Sequence, residues 1–533
     1  MTRLLRTTSL TTLALTGALV LGGCSPDYKD EQPGPVVDRG IDAREYVEDY
    51  EQAEFEDQSG SDSTQYSASA PTAGEGESAE PGLLDDNVFV DHGASGFVDA
   101  DEDARSTFAL DVDTGSYSVA RTLLDQGRRP PPASIRVEEW VNAFGYGDEA
   151  PTDADLAVTA ETGTAPSLDD GTQLVRVAVT SRELSQAERP RLNVALVVDR
   201  SGSMDIRERL GLVKSSLALL ANGLRDDDVV SVVSFEDQAR PILEPTPVED
   251  TDAVLDAIDE LRPGGSTNLE AGLRLGYEQA RESFIEDGAN VVVLCSDGVA
   301  NVGRTGPGSI VDKIQDEGAD GIHLVTVGYG MGNYNDHLME QLADLGDGFY
   351  SYVDTFEEAE SLFGTELVTT MVPVAAEARA QVSFDPELVE SYRLVGYDNR
   401  TLADEDFDDL SVDAGELGPG HRATALYEVR LADGVPSGST IGTAQLAWLS
   451  AGDGEEQQAQ VDVTSASGHG SPSASFDLAA TVADTAELLK GGDPVAERGV
   501  ALADLTDRAE ALAQARVPGA EELLERIRAI ARG

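Results

Sequence analysis

Basic charge is scarce in this chain. Its 533 residues hold 37 lysines and arginines against 100 aspartates and glutamates, a formal net charge of −63. Such a surface has no positive field to meet phosphates, so nucleic acid is excluded as a partner. Lysine is rare even among the cations. Cysteine is nearly absent: Cys24 and Cys295 are the only two, too few for a disulfide framework. Cys295 follows the apolar run Val291–Leu294 and reads as a small core residue. The five histidines are scattered and form neither H-E-x-x-H nor a Cys/His zinc pattern. No G-x-S-x-G elbow occurs. With no nucleophile–base constellation, the chain is expected not to be an enzyme.

The first residues read as a targeting segment. Arg3 and Arg6 supply positive charge, and Leu10 to Leu21 is an apolar run too short for a comfortable transmembrane helix. It ends in Leu21-Gly22-Gly23-Cys24, which looks like a bacterial lipobox. Residues 1–24 are therefore expected to be a lipoprotein signal peptide, with Cys24 lipidated and the mature chain held outside the cytoplasm on a membrane. Residues 25–104 are rich in Asp, Glu, Ser, Gly and Pro and poor in branched and aromatic side chains. Such a segment buries too little apolar surface to offset ordering entropy, so a disordered acidic linker is expected.

Beyond it, residues 105–188 read as helices (Tyr117 to Gln126, Ile135 to Phe144) followed by strands (Leu156 to Glu161, Gln173 to Thr180). Residues 189–370 alternate strand and helix. Leu192 to Val198, Val229 to Phe235, Asn290 to Cys295 and Ile322 to Val327 are continuous apolar runs, as strands buried on both faces should be. Arg240 to Val248 carries prolines and reads as an edge strand. This alternation means a doubly wound, mostly parallel, Rossmann-like α/β sheet, whose ligands sit outside the carboxyl ends of the strands. Residues 371–465 return to strands, and residues 466–533 form a helical C-terminal region. The strands before and after the α/β unit are expected to pair into one β-sandwich in which that unit is inserted.

Three loops of the α/β unit share a chemistry. Asp199-Arg200-Ser201-Gly202-Ser203 leaves the first buried strand just before a helix. Gly264-Gly265-Ser266-Thr267 turns into another helix. Ser296-Asp297 ends a further buried strand. In a doubly wound sheet these loops lie side by side at one edge. Carboxylate and hydroxyl oxygens around one point suit a hard divalent cation, Mg²⁺ first, with Mn²⁺ or Ca²⁺ as alternatives. Two carboxylates and neutral hydroxyls leave such a cation electrophilic toward a carboxylate from another molecule. A competing structural role exists, since Ser201 and Thr267 are also good helix N-cap types.

With these residues the chain resembles the von Willebrand factor type A (VWA) superfamily. Within it, the chain is similar to the bacterial YfbK-like lipoproteins. The narrower match rests on Ser106 to Thr114, Pro130-Pro131-Pro132 with Arg136 to Glu139, Gly396 to Arg400, Asp404 to Phe407 and Asp413 to Gly418. The resemblance implies a metal-ion-dependent adhesion site made of Asp199, Ser201, Ser203, Thr267 and Asp297. The hydroxyls would ligate directly, with one or both aspartates acting through water. It also implies a protein partner that offers an Asp or Glu. The alternative is a structural or regulatory envelope lipoprotein in which the metal only stabilises the fold.

Three further motifs carry less. Asp113-Thr114-Gly115-Ser116 spells half of an aspartic-protease signature, but a second copy is missing; it reads as a turn capping the next helix. Asp404 to Asp409 reads as a solvated acidic loop. Gly328 to Gly332 reads as a turn.

Overall fold

The structure, a computed structural model, describes residues 39–48, 89, 93–110, 112–164, 167, 171–185, 187–298, 310, 321–330, 336–366, 371–398, 400–410, 412, 414–452, 454–466, 472–491 and 499–532. Cys24, the whole of residues 1–24 and most of the expected linker lie outside them. Among the described residues no helix is long and apolar enough to cross a membrane.

The α/β unit is a six-stranded sheet. Its strands are β5 (Leu192–Asp199), β6 (Val229–Phe235), β7 (Ala239–Pro247), β8 (Ala289–Ser296), β9 (Ile322–Tyr329) and β10 (Tyr350–Val353), in the order β10-β9-β8-β5-β6-β7. All neighbours are parallel except β6 and β7. The proline-bearing β7 is the edge strand that its sequence implies. Every residue of β5 and β8 is buried, because helices cover both faces of the sheet. The chain leaves β5 toward β6 on one side and returns to β8 on the other. The crevice between the carboxyl ends of β5 and β8 is therefore the topological switch point.

Two antiparallel sheets complete the strand content. One has the order β1-β12-β15-β4-β3: Val98–Asp99, Val389–Val395, Arg422–Leu431, Gln173–Ser181 and Leu156–Gly163. The other has the order β13-β2-β11-β16-β17: Thr401–Leu402, Arg105–Ala109, Ala375–Phe384, Thr440–Ser450 and Glu456–Thr464, with β14 (Gly415–Leu417) beside β11. Both sheets feed one core that includes Phe108, Val177, Val382, Tyr427 and Leu446. Strands from before the α/β unit (β1, β2, β4) pair with strands from after it. The α/β unit is thus inserted in a β-sandwich, as the two flanking strand sets require, and residues 105–188 form no separate body.

The C-terminal helices Ala474–Lys490, Leu502–Gln514 and Ala520–Ile530 bury one face together with Trp140, Phe144 and the sheet residues Leu174, Val395 and Leu426. Helix α1 (Gly115–Asp125) reaches the α/β unit, where Val119 and Leu123 join its core. Asp113 does not cap α1. It is buried, accepts a bond from the Tyr350 backbone N–H at 3.2 Å and pairs with Arg400 at 3.4 Å.

Four expectations change. Residues 39–48 fell inside the linker expected to be disordered, yet they pack on the α/β unit. Arg39 donates to the carbonyl of Leu224 (2.8 Å) and pairs with Asp226 (2.5 Å), and Ser215 Oγ donates to the Ala43 carbonyl (2.7 Å). Residues 93–104 are also ordered and supply β1. The helix expected over Ile135 to Phe144 is shorter, Val137–Asn142, and a 3₁₀ turn at Pro132–Ser134 precedes it, with Pro132 suited to the turn's first position. The loop at Asp404 to Asp409 is not merely solvated. The carbonyls of Asp406, Asp409 and Val412 accept the guanidinium of the buried Arg379 at 2.8, 2.7 and 2.5 Å.

Candidate metal centre

β5 ends in Asp199 and β8 ends in Ser296, and these strands are parallel neighbours with Val198 opposite Cys295. Asp199 and Asp297 therefore leave the sheet side by side, and both are fully buried. Asp199 is held from two directions. Its Oδ1 accepts the Ser201 backbone N–H at 2.8 Å, and its Oδ2 accepts the Ser296 hydroxyl at 2.7 Å. The Ser296 hydroxyl itself accepts the Gly298 N–H at 3.1 Å. The Ser201 and Ser203 hydroxyl oxygens lie 3.0 Å apart. Ser201 is buried and Ser203 half-buried.

The second loop is fastened to the first by backbone. The Gly264 N–H donates to the Arg200 carbonyl at 2.7 Å, and the Gly202 N–H to the Gly265 carbonyl at 3.1 Å. Gly265 has φ +82° and lies against Glu236: a Cβ there would fall 2.5 Å from Glu236 Oε2. Glu236 pairs with Arg200 and accepts the Asn268 N–H on its carbonyl at 2.8 Å. Helix α5 (Leu269–Glu282) is capped by Asn268, whose side chain accepts the Ala271 N–H at 3.2 Å. The cap role open to Thr267 in the sequence thus belongs to its neighbour. Thr267, buried, sits between the Gly265 turn and this cap, on the loop bonded to Arg200 and Gly202.

All five residues of the sequence motif come to this edge, on three loops tied to one another. Burial, and then the neighbouring Asp297 carboxylate, raise Asp199 well above the usual carboxylate range. Two buried carboxylates that oppose each other's ionisation are relieved by a cation between them. The donor set is entirely hard oxygen, which fits Mg²⁺ and excludes soft metals. Among the described residues no three His, Cys, Asp or Glu side chains form a cluster that could hold a metal.

Sequence reasoning missed three participants. Ser296 orients Asp199. Arg209, on the first turn of α3 (Arg209–Gly223), donates from Nη1 to Asp297 Oδ2 at 3.1 Å and to the Ser203 carbonyl at 3.2 Å. Gly330, at φ +76°, lies against that guanidinium. Only Ser296 carried a signal, as a hydroxyl at a strand end beside Asp297. Cys295 is fully buried, which pushes its thiol up to about 12, so it is no nucleophile at neutral pH. The Gly328 to Gly332 turn is described only as far as Gly330.

Three family models match the chain. One described as von Willebrand factor covers residues 84–176, one described as von Willebrand factor type A domain covers 193–365, and one described as uncharacterized protein YfbK, C-terminal, covers 369–440. Uncharacterized protein YfbK of Escherichia coli is 38% identical over 340 residues, 61% of this chain and 58% of that protein. Uncharacterized protein sll0103 of Synechocystis is 31% identical over 189 residues, 36% of this chain and 44% of that protein. The chain spans about half the length of these curated relatives. Among solved structures, von Willebrand factor type A from Catenulispora acidiphila covers 72% of this chain and 91% of its own, with a TM-score of 0.44 and 16% identity. The chain is thus YfbK-like, with a VWA domain between a von Willebrand factor region and a YfbK C-terminal region.

Proposed function

We propose that this is an extracytoplasmic lipoprotein whose VWA domain binds a protein partner in a Mg²⁺-dependent way. The observation that carries the reading is the joining of Asp199, Ser201, Ser203, Thr267 and Asp297 at one sheet edge, with two buried carboxylates opposing each other. Asp199, Ser201, Ser203, Thr267 and Asp297 would hold the metal. When bound, the metal supplies a Lewis-acidic coordination position for a carboxylate from the partner.

The chain's own residues prepare that position. Ser296 and the Ser201 N–H fix both oxygens of Asp199, so the carboxylate costs no reordering on metal entry. Ser203 is the partly exposed member of the set and marks the side that faces outward. Cys24, acylated, would anchor the chain to its membrane.

The test is capture by the mature chain from envelope extract, in Mg²⁺ and in EDTA. The reading expects a partner retained in Mg²⁺ and released by EDTA and by Asp199→Ala. Capture that survives both would contradict it. A second reading, a metal that only stabilises the fold, draws on the near-complete burial of Asp199, Ser201, Thr267 and Asp297. It expects a large fall in melting temperature in EDTA and no metal-dependent partner.

A further inference from the structure

We propose that Arg209 is a positioning residue of the metal centre, holding one oxygen of Asp297 and leaving a bound divalent cation under-neutralised, so that the centre favours a carboxylate from outside. The inference rests on the metal-dependent binding proposed above and adds a residue that the five-residue motif lacks.

Arg209 opens α3 and turns back into the site. Its Nη1 donates to Asp297 Oδ2 and to the Ser203 carbonyl, so one nitrogen joins the third loop to the first. The pair is enclosed: the Arg209 side chain is 3% exposed and Asp297 0%. Gly330 closes the other side. A Cβ there would fall 2.0 Å from Arg209 Nε, so the turn after β9 is shaped around the guanidinium. A guanidinium keeps its charge when buried.

The charge count gives the consequence. Asp199 and Asp297 contribute two negative charges, and the hydroxyls of Ser201, Ser203 and Thr267 none. A divalent cation alone would make the centre neutral. A carboxylate arriving from a partner would then bring an uncompensated charge into a desolvated site, which is costly. Arg209 adds one positive charge, and the incoming carboxylate brings the loaded centre to neutrality. The same guanidinium offsets one of the two buried carboxylates before metal enters, so it weakens metal binding while strengthening carboxylate binding.

The experiment compares the wild-type chain with Arg209→Met, Arg209→Gln, Arg209→Lys and Asp199→Ala. Mg²⁺ alone is titrated by calorimetry at low salt, and melting is followed in EDTA and in Mg²⁺. Acetate then serves as the minimal carboxylate probe of the loaded protein. Arg209→Met and Arg209→Gln should melt lower than wild type in EDTA. They should nevertheless bind Mg²⁺ about tenfold tighter, gain more melting temperature from it, and lose stabilisation by acetate. Arg209→Lys, which keeps the charge, should stay within about threefold of wild type for Mg²⁺. A merely structural arginine would lower melting in both buffers and leave Mg²⁺ affinity unchanged or weaker in both neutral variants, which would overturn the proposal. If wild type binds Mg²⁺ and Asp199→Ala does not, that failure falls on Arg209 alone. If wild type binds no Mg²⁺, the metal reading falls with it.

Discussion

Thr267 and Asp199 contribute differently to the same edge. Asp199 brings charge and is held by two donors. Thr267 brings a neutral oxygen on a loop whose helix is capped by Asn268. Thr267→Val keeps the shape and removes the hydroxyl. It is expected to weaken Mg²⁺ binding about tenfold or more, with melting in EDTA changed little; calorimetry and melting together check it. Ser296→Ala tests the support of Asp199. It leaves Oδ2 of a buried carboxylate without its hydroxyl donor, at a cost of about 1–3 kcal/mol in EDTA, read from denaturant unfolding. The five motif residues were legible in the sequence because each stands where a buried strand ends or a helix begins. Arg209 was not, because it lies outside the three motif loops and arginine is a residue type mostly found exposed. Its burial comes from the Asp297 and Gly330 loops, which lie 88 and 121 positions away.

At the scale of elements, the segment 39–48 departs most from expectation. Its four apolar residues, Ile41, Ala43, Tyr46 and Val47, stand within a longer acidic, apolar-poor stretch, which is why the sequence reads as a linker. Its fastening is both apolar and polar: Ala43 is buried in the core of the α/β unit with Ile41, Tyr46 and Val47 packed against it, Arg39 donates to the carbonyls of Ala221 and Leu224 at the carboxyl end of α3, Asn222 to the Ile41 carbonyl, and Arg44 lies over the Phe356 ring at 4.0 Å. Cations at a helix carboxyl end are favoured there. Composition averaged over residues 25–104 hides so short a docking segment. Arg39→Ala should cost about 2 kcal/mol and speed hydrogen exchange along α3; unchanged exchange would mean that the segment adds nothing to α3. Lys214, on the same helix, faces Asp259 and is lowered to about 8 by burial and then by Arg262. In the unfolded chain it stays protonated up to 10.5. Between those values the unfolded state binds more protons, so stability should rise with pH across that window. Lys214→Met should flatten the rise. Strand β17, an edge strand, carries a short alternation of Ala459, Val461 and Val463, of which Val463 is fully buried.

At the scale of the whole molecule, the insertion was legible because strand patterns stand on both sides of the α/β alternation. What binds the inserted unit to its host was not. Arg136 pairs with Glu139 and Glu340, and Arg400 with Asp113, Glu340 and Asp344, at 3.6, 3.4, 3.5 and 3.0 Å for the last four contacts. These six residues come from three separated segments, and the buried ion pairs fix how the VWA domain sits on the sandwich. Arg400→Met should destabilise by about 3 kcal/mol and leave Mg²⁺ affinity unchanged; a matching loss of affinity would show that the interface acts on the metal edge. The docked segment also limits reach. Arg39 follows the proposed acyl anchor Cys24 by fifteen residues, a span of at most about 50 Å. An anchor at Cys24, as proposed above, would therefore hold the VWA domain near its membrane.

The most direct test of the central claim is calorimetric titration of Mg²⁺ into the metal-free chain, wild type beside Asp199→Ala. The account predicts one saturable site in the wild type and none in the variant. No binding in the wild type, or equal binding in the two, would contradict it.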